Sequence, residues 1–237
     1  MAKPYVFPPE SAMKQYRPIF EWVWKHFEFP EGEPRAYFLA QIDHESKGMT
    51  VLKENLNYSV SALRNTFVKW GRMSMDDATR LGRIGTVRTP AQKANQEAIA
   101  NIVYGGPWGW ENLGNRNEGD GWWFRGRGPI QITGRAMYQG FHDYCQEKKL
   151  TRKRGDVHVV IDVMNDPDVV ATPEVGLLAA GWFWDYKKVN SLIRNDMLTT
   201  MEEIERVTKR VNGGKMGLLE RRVRTLEYMD PNNPFWT

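Results

Sequence analysis

The chain has 237 residues, enough for one sizeable domain or for a domain with a small second lobe, and 41% of them are hydrophobic, so a real core can form. Its 33 Lys and Arg against 29 Asp and Glu give a net charge of +4, a mild excess that draws polyanions such as nucleic acid, anionic lipid or an acidic wall polymer. The single cysteine, Cys145, excludes an internal disulfide and leaves a Cys-based zinc site short of ligands, and no run of 18 apolar residues exists to span a membrane.

Residues 17–27 carry Ile19, Phe20, Val23, Trp24 and Phe27 at three- and four-residue spacing, which predicts a helix. A second helix is expected over about 35–46, with Gly48 as its stop. Ser59 caps a third, whose Leu63, Phe67 and Trp70 share a face, and Ser74 with Asp76 and Asp77 starts a fourth. Thr89-Pro90 reads as a cap followed by proline, opening a helix to Tyr104. Residues 105–128 are rich in Gly, Trp and Asn and read as a long irregular segment of the kind that is usually functional. Helices follow over about 134–147, from Thr172-Pro173 to Tyr186, from a Thr200/Glu203 capping box to Val211, and over 217–228. Residues 150–160 form a polar, basic connection; the cluster Lys148, Lys149, Arg152, Lys153 and Arg154 reads as a solvated loop. The fold class expected is mainly α, with at most a small β element.

Glu45 lies seven residues after Phe38 and three after Ile42, near one apolar helix face and at the helix C-terminus. Partial desolvation and the negative end of the helix dipole both favour the protonated acid, which a glycosidase needs to protonate a leaving oxygen. The same position also suits an ordinary helix-end glutamate. Glu54 follows after a turn at Gly48. An inverting pair holds one water across a carboxyl separation of roughly 6.5–9.5 Å, which this spacing permits. In the segment Phe124-Arg125-Gly126-Arg127-Gly128-Pro129-Ile130-Gln131-Ile132-Thr133, an extended conformation would put Gln131 and Thr133 on one side, Gln131 to bond a sugar amide or hydroxyl and Thr133 to orient a water. The 10 Trp, 10 Phe and 9 Tyr suit either sugar stacking or a large aromatic core. His26, His44, His142 and His158 show no zinc-site spacing, which weighs against an amidase or peptidase; a non-catalytic wall-binding protein is the remaining alternative.

The chain resembles glycoside hydrolase family 19, and within it the bacteriophage endolysins rather than the plant chitinases. The resemblance rests on Phe38 to Ser46, on Glu54-Asn55-Leu56-Asn57-Tyr58-Ser59, on Phe124 to Arg135, on Asn165-Asp166-Pro167-Asp168, on Trp182-Phe183-Trp184, and on Val211-Asn212-Gly213-Gly214 with Arg221-Arg222. Met137 stands where the family has an asparagine before Tyr138. The resemblance implies a lysozyme-like, chitinase-like helical fold with two lobes around a substrate groove. It divides the chain into an N-terminal extension (1–33), a catalytic lobe (34–59 and 102–237) and a small inserted helical lobe (60–101); in the extension a packed helix is expected, with Tyr5, Phe7, Pro8 and Pro9 as a possible arm. It implies Glu45 as general acid, Glu54 as second carboxylate and Thr133 as the residue holding the water. His44, Tyr58, Gln131, Tyr138, Asn212 and Arg222 become substrate-binding residues, Arg222 as a buried or groove arginine near the acidic pair. The activity implied is cleavage of the β-1,4 bond between N-acetylmuramic acid and N-acetylglucosamine, with inversion, and with chitin hydrolysis as the nearest alternative. No metal or organic cofactor is required. The partner is bacterial peptidoglycan; nucleic acid and stable membrane insertion are not expected, and a monomer is. The start of the chain lacks an apolar signal core, so residence in the host cytoplasm and release through a holin-type partner are expected.

Overall fold

The computed structural model describes residues 13–236, and the expected arm at Tyr5 to Pro9 lies outside them. The helices are α1 (Arg17–His26), α2 (Glu33–Ser46), α3 (Val60–Leu63), α4 (Met75–Leu81), α5 (Gln96–Val103), α6 (Gly106–Leu113), α7 (Asp120–Trp123), α8 (Arg135–Glu147), α9 (Pro173–Tyr186), α10 (Met201–Asn212) and α11 (Leu218–Met229). Short helical turns at Lys14–Tyr16, Arg64–Val68, Pro167–Ala171 and Val189–Leu192 and two antiparallel pairs, β1 (Ile84–Gly85) with β2 (Pro90–Gln92) and β3 (Thr151–Arg154) with β4 (Val157–Val160), accompany them, so the protein is mainly α. No helix among the described residues is long and apolar enough to cross a membrane.

Four local expectations change. Pro90 lies in β2 instead of opening a helix; the cap of α5 is Asn95, whose side chain accepts from Ala98 N. The segment 105–128 holds α6 and α7, and the basic connection at 150–160 is the β3–β4 hairpin. At Thr200 the hydroxyl accepts from Glu203 N as a cap should, but Glu203 does not return the bond: its buried carboxylate takes Arg194 N instead.

The chain divides into two compact units. The first comprises the described residues up to Leu52, residues 128–131, and Val169 onward. Phe20, Val23 and Trp24 of α1, Phe38 and Leu39 of α2 and Trp184 of α9 are buried in its core. Phe38 meets Trp184 edge-on at 5.1 Å, and the Trp184 indole N–H donates to Asn190. Gly181 lets α1 approach α9, since a Cβ there would stand 2.6 Å from Phe27 and Val23. Most of the 14 residues of α2 are buried, including the polar Gln41, Asp43 and Ser46, and α11 packs along it. Such a helix is stable only if its polar groups find partners inside. It ends through Lys47 and Gly48, both left-handed, with Gly48 N bonded to Asp43 O at 2.9 Å.

The second unit comprises residues 53–127 and 132–168. Leu56, Leu63, Phe67, Met73, Leu81, Ile99 and Val103 form one buried cluster, so residues 60–101 share their core with Leu56 and Val103. Phe124, Tyr138, Phe141 and Cys145 are buried as well. Buried Asp120 receives both Nε and Nη2 of Arg135 and the amides of Arg116 and Asn117, which ties the turn before α7 to the start of α8.

Candidate active site

The C-terminal turns of α2 present Gln41, Asp43, His44 and Glu45 toward α11 in the first unit. Glu45 keeps 22% of its side chain exposed, and its Oε1 accepts from Arg221 Nη2 at 2.6 Å. Arg221 is 1% exposed; its Nη1 donates to Gln41 Oε1 and its Nε to Met216 O. A guanidinium so held is fixed in place, and it fixes one oxygen of Glu45 in turn. One turn along α11, Arg224 pairs with Asp43 and with Glu220, and Tyr228 donates its hydroxyl to Asp43 at 3.0 Å. Burial, and then the adjacent Asp43 carboxylate, push the Tyr228 hydroxyl well above the usual phenol range.

His44 stands 3.3 Å from Glu220 without hydrogen-bond alignment. Burial, and then the Arg221 charge, hold its imidazole below the usual value of 6.5 despite the opposing pull of Glu220. Gly217 makes room for the ring: its φ is +71°, and a Cβ there would lie 2.5 Å from His44 Cε1.

In the second unit Glu54 has different company. Its backbone N–H donates to Gly126 O, and its Oε2 accepts from Gly126 N at 3.1 Å. Its Oε1 accepts from the Tyr104 hydroxyl. Burial, and then Glu54, raise the Tyr104 hydroxyl far above its ordinary value, and the same two causes raise Tyr58. Gly126 is in turn held by arginines on either side. Arg125 lies 3.7 Å over the Trp122 ring, and buried Arg127 bonds Asp168, Trp123 O and the Tyr138 hydroxyl.

Neither glutamate is among the residues that line two cavities of the protein. One of about 330 Å³ is lined by Glu31, Met197 and Trp236 among others, and one of about 310 Å³ by Asn101, Trp110 and Asn115 among others. Among the described residues no group of three or more His, Cys, Asp and Glu could hold a metal ion.

A Haemophilus influenzae protein described as a glycosyl hydrolase family 19 domain-containing protein is 34% identical over 189 residues, spanning 79% of this chain and 74% of that one. The chain belongs to glycosyl hydrolase family 19. No protein-family model matches it. Chitinase C from Streptomyces griseus is similar in structure over 94% of this chain and 71% of its own, with a TM-score of 0.45 and 14% identity.

As a family 19 chain it carries the expected residues in these places. His44, Glu45, Gln131, Asn212 and Arg222 fall in the first unit, and Glu54, Tyr58, Thr133 and Tyr138 in the second. Three expectations need correction. Tyr138 is fully buried, accepting from Arg127 and donating to Arg125 O, so it supports the arginine loop and offers no surface to a glycan. Arg222 donates to Thr199 O at 3.3 Å; the arginine on Glu45 is its neighbour, Arg221. Gln131 has φ +54° and returns its side-chain amide to Gly128 O, so the segment is not extended there and the reason to expect a face shared with Thr133 is gone. Asn212 is exposed at the end of α10, with its Oδ1 accepting from Gly214 N. Tyr58 is half-buried, edge-on to Phe67 at 5.4 Å, and Thr133 is half-buried. Arg221, Gln41 and Tyr104 were not among the expected residues.

Proposed function

We propose that this family 19 glycoside hydrolase is an endolysin-type muramidase that cleaves the β-1,4 bond between N-acetylmuramic acid and N-acetylglucosamine in bacterial peptidoglycan. The observation that carries the roles is the bond from buried Arg221 to half-buried Glu45. Glu45 acts as general acid. As its proton passes to the leaving oxygen, negative charge grows on a carboxyl already bonded to a fixed guanidinium, so the stabilisation strengthens along the reaction coordinate. Glu54 acts as general base. Its two neutral donors orient it without cancelling its charge, which leaves it an acceptor for the proton of the attacking water. Thr133 helps hold that water. Direct attack by water gives inversion at the anomeric carbon. In this reading the protein works as a monomer without cofactor, accumulates in the host cytoplasm, and reaches the wall when a holin-type partner opens the way.

The test is mass spectrometry of fragments released from purified peptidoglycan, with chitin oligomers digested in parallel. Reducing-end muramic acid is expected from wild type, and Glu45→Gln is expected to lower turnover by about 10³-fold or more with the fold preserved. Product from chitin alone would overturn the muramidase assignment, and unchanged turnover in the variant would remove Glu45 from the chemistry.

A further inference from the structure

Hairpin β3–β4 covers no core. Its register pairs Thr151 with Val160 and Lys153 with His158 on one face, and Arg152 with Val159 and Arg154 with Val157 on the other. Neither face contributes a buried residue. Val157 is 59% exposed and Val160 44%. An isolated two-stranded hairpin is marginal in water, and β-branched side chains stabilise a strand chiefly by packing, which here is confined to the half-buried Arg152–Val159 pair. Folding alone therefore gives no reason for valines on both faces.

The charges divide in a telling way. Arg152 pairs with Asp166 at 2.6 Å, and Lys148 with Glu147 at 3.0 Å. Arg152, with the Leu150–Ile161 backbone bond and the Gln146 side chain on Ile161 O, anchors the base of the hairpin. Lys149, Lys153 and Arg154 are exposed and, among the described residues, enter no ion pair. Asp156, in the turn, is the hairpin's own anion, and these three cations outnumber it.

We propose that this hairpin docks on an anionic lipid surface. It lies in the headgroup layer, where Val157 and Val160 are covered, while Lys149, Lys153 and Arg154 meet lipid phosphates. Aliphatic side chains beside cations suit the boundary between headgroups and acyl chains. A single-stranded nucleic acid would instead call for cations interleaved with several aromatic platforms, and the hairpin has no Phe, Tyr or Trp, its one ring being the His158 imidazole. The inference does not rest on the hydrolytic reading.

The test is co-sedimentation of the full chain with phosphatidylglycerol vesicles and with phosphatidylcholine vesicles at about 0.15 M salt, a concentration that screens exposed charges beyond about 8 Å. Binding is expected to phosphatidylglycerol and not to phosphatidylcholine. The triple variant Lys149→Gln, Lys153→Gln, Arg154→Gln is expected to weaken it about 100-fold, since each cation near such a surface contributes about fivefold. Lys149→Arg with Lys153→Arg should retain it. Val157→Asn with Val160→Asn should weaken it and leave a residue that higher salt abolishes. Absence of wild-type binding, or undiminished binding by the triple variant, would overturn the proposal. So would full affinity in the valine variant together with displacement by duplex DNA, which would make the hairpin a general polyanion site. All these side chains are solvent-facing, so unchanged circular dichroism and unchanged glycan hydrolysis accompany the expected result; a protein that binds vesicles yet hydrolyses nothing would sink the muramidase reading alone.

Discussion

Glu45 and Glu54 are held by opposite means. Glu45 meets a buried cation, Arg221, inside a lattice of charge that also includes Asp43, Arg224 and Glu220 between α2 and α11. Glu54 meets two neutral donors, the Tyr104 hydroxyl and the Gly126 amide. The first arrangement depends on packing two helices distant in sequence; the second depends mainly on backbone geometry at Gly126. Removing a partner should therefore cost far more on the Glu45 side.

The largest expected effect on stability follows from Arg221→Met. It strips the guanidinium from Glu45 and Gln41 in a buried layer, where breaking one side of an ion pair costs about 3–5 kcal/mol. Urea denaturation measures this, and a loss below about 1 kcal/mol would erase the contrast between the two sites. Gly217→Ala comes next. A left-handed backbone and a Cβ 2.5 Å from the His44 ring should cost about 1–3 kcal/mol, and turnover should fall as His44 and its neighbour Glu45 shift. Tyr104→Phe tests the other side: one hydrogen bond from a neutral donor to the Glu54 carboxylate is worth about 2 kcal/mol, with a modest loss of turnover. A loss of 3 kcal/mol there would mean that the two sites are equally demanding.

The smallest effect is a slope in pH. The folded His44 imidazole is held below 6.5, so as pH falls through 6.5 the unfolded chain takes up a proton that the folded chain refuses. Stability should decline as pH drops from about 6.5 toward the lowered folded value, and should decline no further on this account below it. His44→Gln should flatten that part of the profile in paired thermal melts. An identical slope in both proteins would assign the decline to other groups.

Much of the helical frame was legible, because α1, α2, α8, α9 and α10 carry regular spacing and recognisable ends. Ser59 and Ser74 cap as their side chains suggest, accepting from Ala62 N and Asp77 N. Thr89-Pro90 misled because proline is equally at home in the short β2 strand, and the cap of α5 is the plainer Asn95. The hairpin was hidden because β3 (Thr-Arg-Lys-Arg) has no apolar residue and β4 (Val-His-Val-Val) puts valines on both faces, so neither strand shows a one-sided alternation. At α11 the usual rule runs backwards. Leu219, Val223 and Leu226 are exposed, whereas Arg221, Arg224, Thr225 and Tyr228 are buried. Apolar periodicity therefore points to the wrong face; the resemblance pointed to Arg222, and the arginine on Glu45 is its neighbour Arg221. The pairing of Glu45 with a residue 176 positions away has no local signal at all.

Cys145 has a practical consequence. It is fully buried on α8, and burial pushes its thiol up to about 12, so the reactive thiolate is nearly absent at neutral pH. The native protein should pass between reducing and oxidising surroundings with its one sulfhydryl chemically silent. A thiol-reactive dye would then stain only molecules in which α8 has opened, and its uptake would serve as an internal clock for breathing of the second unit.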